Sequence, residues 1–223
     1  GEEAIWDGHT SIHNNIMDEQ GRIWFSARVR GIPNPDFCKQ GSSHPSAQVL
    51  PLNESVRQLA MYDPKKKEWK LISTCFTTHH LYLSRDKKNI LWTSAGGPGF
   101  SAVGWLDTQK YLQTGDEQAS QGWTPIVLDY NGNGKRDEGY VQQNQPLDPA
   151  KDKRVTAGFY GIAPSPADGT IWGSVMGFPG LVARLDPGND DYWRHGKSFA
   201  DGYRSAFMEP AEPGAVLPEN WGR

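Results

Sequence analysis

Short segments of the chain alternate apolar and polar side chains. Within residues 22–29 every second residue is apolar, namely Ile23, Phe25, Ala27 and Val29. A side-chain period of two is typical of a β-strand, because successive side chains point to opposite faces of a sheet. The opposite face carries the bulky Trp24, so we expect the sheet to be covered on both sides.

A six-residue phrase with a central tryptophan occurs three times, at residues 21–26 (GRIWFS), 89–94 (NILWTS) and 169–174 (GTIWGS). Each copy follows a polar turn, and each is followed by an apolar segment that ends in Asp. Two polar, aperiodic insertions, 31–55 and 129–157, separate the copies. Without these insertions the unit is roughly 45 residues with four strands, which is the period of a β-propeller blade.

The sequence therefore predicts an all-β fold: a β-propeller portion spanning residues 1–223, with four-stranded antiparallel blades at about 13–72, 79–128 and 158–200. A β-sandwich is the alternative, but it does not explain the recurring tryptophan phrase. Propellers use about four to eight blades, so about three blades make an incomplete ring. We expect either the rest of a longer propeller or a second chain to close it.

Composition supports a folded protein with many short strands. The chain is 36% hydrophobic, and its 25 Gly and 16 Pro accompany many aromatic residues, as in proteins with tight turns. The net charge of -3 and the lack of basic clusters interleaved with aromatics argue against a nucleic-acid partner. No apolar run approaches the roughly 20 residues of a membrane-spanning helix.

The two cysteines, Cys38 and Cys75, leave two alternatives open. A disulfide between them would close a loop worth roughly 3 to 4 kcal/mol by the chain-entropy estimate. The other alternative is a pair of buried thiols. A disulfide would favour an extracellular or periplasmic protein whose export signal has already been removed.

The phrases at 13–26 and 163–174 resemble blades of the streptogramin lyase (virginiamycin B lyase)-like bacterial β-propeller proteins. The resemblance covers the three repeats and implies an exported bacterial propeller. The lyase of that family has seven blades and opens a cyclic depsipeptide lactone by elimination, with a divalent metal and a histidine base. The resemblance thus implies a metal-dependent lyase activity at the central channel, although the long insertions here depart from the compact blades of the lyases.

Four residues at the start of the first strand of a blade should approach the central channel. They lie 11 to 13 residues before the signature tryptophan and are His13, His79, His80 and Tyr160. Imidazoles there could hold a divalent metal such as magnesium or act as a general base near neutral pH. His79, His80 and His13 are therefore the predicted catalytic residues. The alternative is that they only form hydrogen bonds across a water-filled channel.

A second candidate metal site lies in the insertion at 129–157. Oxygen-bearing side chains occur at positions 1, 3, 5 and 9 of a loop that starts at Asp129, with Gly at position 6, as in a calcium-binding EF-hand loop. The predicted calcium-binding residues are Asp129, Asn131, Asn133, Lys135, Asp137 and Glu138. Position 12 is Tyr140 rather than Glu, so Asp137 or Glu138 would supply the bidentate carboxylate. The alternative is that the Asn-Gly pairs only make tight turns.

Two classes of function follow from these features. The first is a metal-dependent lyase or related enzyme that acts at the channel mouth. The second is a non-catalytic propeller scaffold or binding module for protein, peptide or glycan partners. Convergence of the histidines would favour the enzyme, whereas histidines in separate packed cores would favour the scaffold.

Overall fold

The computed structural model describes residues 11–84, 89–94, 102–133, 136–154, 158–175, 181–186 and 204–210. These residues form several small antiparallel sheets, two of them four-stranded. Of the all-β prediction, the mostly β character is confirmed, although short helices are also present. In the described part of the chain the sheets do not close into a ring.

The first sheet is the predicted four-stranded meander. It contains β1 (Ile12–Met17), β2 (Ile23–Ala27), β3 (Gln58–Asp63) and β4 (Glu68–Ile72), paired in that order. Trp24 of β2 lies opposite Met61 of β3, and both side chains are buried. The insertion at 31–55 does not interrupt the meander, because β2 and β3 pair directly on either side of it.

The second sheet contains β5 (Leu81–Leu83), β6 (Ile90–Ser94), β7 (Ala102–Asp107) and β8 (Gln121–Pro125), also paired in order. The second blade was predicted to end at about residue 128, but the last strand of this sheet ends at Pro125. Two short helices that the sequence interpretation lacked, α2 (Thr108–Thr114) and α3 (Glu117–Ser120), join β7 to β8. Asp107 caps the first helix by accepting a hydrogen bond from the Lys110 amide, at 2.9 Å.

The third sheet is larger than expected. It has six strands in the order β10-β9-β14-β13-β12-β11, rather than the four of a blade at 158–200. The strands are β9 (Val127–Leu128), β10 (Lys153–Arg154), β11 (Gly161–Pro164), β12 (Ile171–Val175), β13 (Leu181–Asp186) and β14 (Arg204–Pro210). Leu128 pairs in parallel with Ala206, so the insertion at 129–157 starts and ends on this sheet.

The three sheets pack against one another in chain order. Trp24, Leu59 and Met61 of the first sheet share a core with Leu91 and Leu106 of the second. A separate core joins the second sheet to the third, and its larger members are Trp92, Trp105, Phe159, Ile171 and Leu185. Both faces of the middle sheet are therefore covered, as the bulk on both faces of the repeated strands predicts.

The first residue of each tryptophan phrase adopts a left-handed backbone. Gly21, Asn89 and Gly169 have φ values of +83°, +49° and +74°. Glycine reaches this region without steric strain and asparagine tolerates it better than most residues, which explains the residue type at this position. In the first copy the turn also binds the tryptophan, since Asp18 Oδ2 accepts a hydrogen bond from Trp24 Nε1 at 3.0 Å.

A disulfide joins Cys38, in the insertion at 31–55, to Cys75, just before the second sheet, with the two Cα atoms 5.4 Å apart. Of the two alternatives, the disulfide is thus the one present. The insertion also contains a 3-10 helix (Asp36–Cys38) and the short helix α1 (Pro45–Val49), which packs on β8. None of the helices in the described ranges is long and apolar enough to cross a membrane.

Candidate metal centre at the histidine cluster

Strands β1, β5 and β11, which come from the three sheets, each bring one part of the cluster. His13 lies in β1, His79 and His80 directly precede β5, and Tyr160 directly precedes β11. These strands are close to one another, and Asn14 Oδ1 of β1 accepts a hydrogen bond from the Leu81 amide of β5 at 2.8 Å. The residues that lie 11 to 13 positions before a signature tryptophan therefore also lie close together in the fold.

A register shift in β1 sets the position of His13. Ile12 pairs with Ala27 and Asn14 with Ser26, so two steps along β1 match one step along β2. A bulge of this kind leaves the extra residue unpaired and re-aims its side chain. His13 is that residue.

The three imidazoles meet at one point. The potential ligand nitrogens of His13, His79 and His80 all lie within 4.8 Å of one another. Ring centroids are 4.1 Å apart for His13 and His79, 4.2 Å for His79 and His80, and 5.4 Å for His13 and His80. Nitrogens bound to a tetrahedral zinc ion are about 3.3 Å apart, given Zn–N bonds of about 2.0–2.1 Å. Nitrogens up to 4.8 Å apart would have to move closer together to bind one such ion.

Hydrogen bonds orient His80. Its Nδ1 lies 2.9 Å from the Tyr160 carbonyl oxygen, which also accepts a hydrogen bond from Ser94 Oγ at 2.8 Å. A carbonyl oxygen can only accept, so the His80 Nδ1 carries the proton. The Nε2 atom of a neutral ring then keeps its lone pair, as is usual for metal-binding histidines.

His79 is the buried member of the cluster, with 7% of its surface exposed. Its Nδ1 is buried and has no hydrogen-bond partner among the described residues. A buried nitrogen without a partner is unusual, because such a group loses its hydrogen bonds to water without replacement. A metal ion would provide the missing partner.

The surroundings of His79 and His13 favour the neutral form of these two rings. Burial lowers the pKa of His79 to about 4; the neighbouring His80 and His13 and the Arg57 guanidinium add to this effect, and a hydrogen bond with the Tyr160 backbone partly opposes it. The pKa of His13, although its side chain is exposed, is lowered by partial desolvation, and then by Arg57 and His80. Neutral imidazole is the form that binds metals. Sequence reasoning missed Arg57, because only the folded sheet brings it near the cluster.

Tyr160 forms one wall of the site. Its ring centroid lies 4.7 Å from that of His80 in an edge-to-face arrangement and 5.0 Å from that of His79. Tyr160 is 38% exposed and His13 is exposed, so the cluster opens to solvent on one side. A bound ion could therefore accept a water molecule or a substrate from that side.

The structure describes most of the predicted calcium loop. Asp129, Asn131, Asn133 and Asp137 are linked to one another by hydrogen bonds. Glu138 is exposed, and Lys135 lies outside the described residues. One buried acidic residue beside this loop, Asp152, was not predicted, because no fixed spacing connects it to the motif.

Comparison with known proteins gives no match: no family model, curated protein or solved structure is significantly similar to this chain. The resemblance to streptogramin lyase-like propellers therefore stays a prediction.

Proposed function

We propose that the protein is a metal-dependent enzyme whose centre is a divalent ion bound by His13, His79 and His80. The observation that carries this proposal is the convergence of three ligand nitrogens, from two different sheets, within 4.8 Å. The unpartnered Nδ1 of the buried His79 supports it further.

The ligand set favours zinc or a similar transition metal over the magnesium expected from the sequence. Magnesium prefers oxygen ligands in octahedral geometry, whereas imidazole nitrogen suits zinc, copper, iron and nickel. Three histidines and an open fourth position are one of the known arrangements of catalytic zinc.

The chemistry of such a centre follows from its ligands. A zinc ion in this position would polarise a substrate carbonyl and lower the pKa of a bound water to about 7. All three imidazoles would be ligands, so metal-bound hydroxide rather than a histidine would act as the base. Elimination beside a carbonyl, as in a lyase acting on a cyclic ester, is the reaction class that the family resemblance favours.

We further propose that the sheets are blades of a β-propeller, completed by the rest of a longer propeller or by a second chain. In propellers the first strand of each blade lines the central channel, and β1, β5 and β11 lie close together here. The Cys38–Cys75 disulfide supports an extracellular or periplasmic location.

A second candidate is a non-catalytic module that binds a protein, peptide or glycan. The observation in its favour is the stacking of His13 on His79, with ring planes 21° apart, which is also compatible with simple packing of neutral rings. Metal binding and zinc-dependent turnover together separate the two candidates.

The test is calorimetric titration of the EDTA-treated protein with zinc and, separately, with magnesium. We expect one zinc per chain, weak or undetectable magnesium binding, and a loss of zinc affinity of more than about 100-fold in His79→Ala. Tyr160→Phe is the matched control, because it keeps the ring and the backbone carbonyl that binds His80. No zinc binding, or equal binding by folded His79→Ala, would contradict the proposal.

Enzymatic activity needs a second measurement, because metal binding alone does not prove catalysis. Zinc-loaded wild type and His79→Ala can be compared on a panel of lactones and linear esters. Zinc-dependent product formation that the variant lacks supports the enzyme. Tight zinc binding without turnover of any panel member favours the binding module.

A further inference from the structure

Asp152 is a carboxylate in an unusual environment. Its residue is fully buried, and its Oδ1 has no hydrogen-bond partner among the described residues. Its Oδ2 accepts a hydrogen bond from the Asp137 amide at 2.7 Å, and Asp137 Oδ2 accepts one from the Asp152 amide at 3.0 Å. Burying a carboxylate without a compensating cation is costly.

The neighbouring cation is engaged elsewhere. The Lys153 ammonium donates hydrogen bonds to the backbone carbonyls of Gln142, Gln143 and Gln145. More negative charge surrounds Asp152 instead: burial raises the pKa of its carboxyl, and the charges of Asp137 and Asp129 raise it further. Backbone amides of Asp137 and Tyr130 only partly oppose this rise.

The loop before Asp152 carries further oxygen-bearing side chains that are hydrogen-bonded to one another. Asp129 Oδ1 accepts a hydrogen bond from the Asn133 amide at 3.0 Å. The side-chain amides of Asn131 and Asn133 donate to Asp137 at 2.8 and 3.1 Å. A half-turn of either amide would present its oxygen to an ion instead.

We propose that Asp129, Asp137 and Asp152, together with the side-chain oxygens of Asn131 and Asn133, form a calcium site. Calcium takes six to eight oxygen ligands and prefers carboxylates and amide carbonyls. Position 12 of the loop motif, where an EF-hand has a carboxylate ligand, is Tyr140. Asp152, from a later segment of the chain, supplies a carboxylate in its place. This site contains no histidine and is independent of the proposed enzymatic function.

The position of the site in the fold suggests its role. Asp129 directly follows β9 and Asp152 directly precedes β10, and these two strands pair with each other. An ion between them closes the base of the insertion. It therefore also fixes β9, which pairs in parallel with β14 of the third sheet.

The test compares the thermal midpoint of the full chain in EDTA and in about 1 mM calcium, a concentration that suits extracellular calcium modules. We expect calcium to raise the midpoint, because a ligand that binds the folded state stabilises it. Asp152→Asn should remove this rise and lower calcium affinity at least tenfold by calorimetry. Its midpoint in EDTA should not fall, because the substitution removes a buried charge.

Asp148→Asn is the matched control, because Asp148 lies in the same insertion but has a partly exposed side chain that pairs with Lys151. It should keep calcium affinity within about twofold. If Asp152→Asn does not fold in EDTA, Asp137→Asn takes its place with the same expected loss of affinity. No calcium binding by the wild type, or unchanged affinity in the folded variant, would overturn the proposal.

Discussion

The imidazole of His13, in β1, stacks on the imidazole of His79, just before β5, with ring centroids 4.1 Å apart. Two protonated rings would repel each other at this distance, and the pKa values of both are lowered. The two first strands thus bring together neutral rings from separate sheets.

Arg57 should weaken metal binding. Its positive charge contributes to the lowered pKa of both His13 and His79, and it should repel a bound cation in the same way. We expect Arg57→Gln to increase zinc affinity about two- to fivefold in a calorimetric titration. Lys70→Gln makes the same charge change at an exposed position of β4 and should leave the affinity unchanged. Weaker zinc binding by Arg57→Gln would contradict this electrostatic role.

Asp18 should stabilise the first sheet in a pH-dependent way. Burial opposes its ionisation, but hydrogen bonds from Trp24 and Arg22 outweigh burial and lower its pKa below the usual value. Its contribution is therefore present above about pH 4 and is lost as the pH falls through the folded-state pKa. We expect Asp18→Asn to cost about 1.5–3 kcal/mol at neutral pH. In urea unfolding, the difference from wild type should shrink by about pH 2.

Gly104 has no room for a side chain. A methyl group there would lie 2.2 Å from the ring of the buried Phe76. We expect Gly104→Ala to destabilise the fold by about 1–3 kcal/mol, because the ring must move within a packed core. Gly139 provides the control, because a methyl group at that position would have no neighbouring atom within 4 Å. Equal stabilities of Gly104→Ala and Gly139→Ala in urea unfolding would rule out the clash.

The disulfide should contribute a large part of the free energy of unfolding. Cys38 and Cys75 are separated by 37 residues, and a closed loop of this size is worth roughly 3 to 4 kcal/mol. We expect the double variant Cys38→Ala/Cys75→Ala to lose about that amount in urea unfolding. Reducing agent should destabilise the wild type similarly but leave the double variant unchanged. An effect of reductant on the double variant would point to another cause.

The sequence predicts the features of this fold that repeat locally. Gly21, Asn89 and Gly169 each adopt a left-handed conformation just before a strand, so these strands could be located by comparing three copies. The same comparison predicted that His13 and His79 lie close together. Both residues precede the tryptophan of their phrase by a similar number of residues, so stacking of the sheets places them side by side.

Features that depend on distant pairing could not be predicted in this way. Leu128 pairs in parallel with Ala206, and most of the third sheet lies between these two residues in the chain. A parallel pair of this kind leaves no recognisable pattern in the sequence near either residue. The helix at Thr108–Thr114 did carry signals, an Asp107 cap and Gly115 in a left-handed conformation, but it is too short for a clear helical periodicity.

The most direct test of the proposed metal centre is anomalous diffraction at the zinc absorption edge from crystals of the zinc-loaded protein. We predict one strong peak bonded at about 2.0–2.1 Å to a nitrogen of each of His13, His79 and His80. The absence of a peak at this cluster, or a peak bonded to fewer than all three imidazoles, would contradict the account.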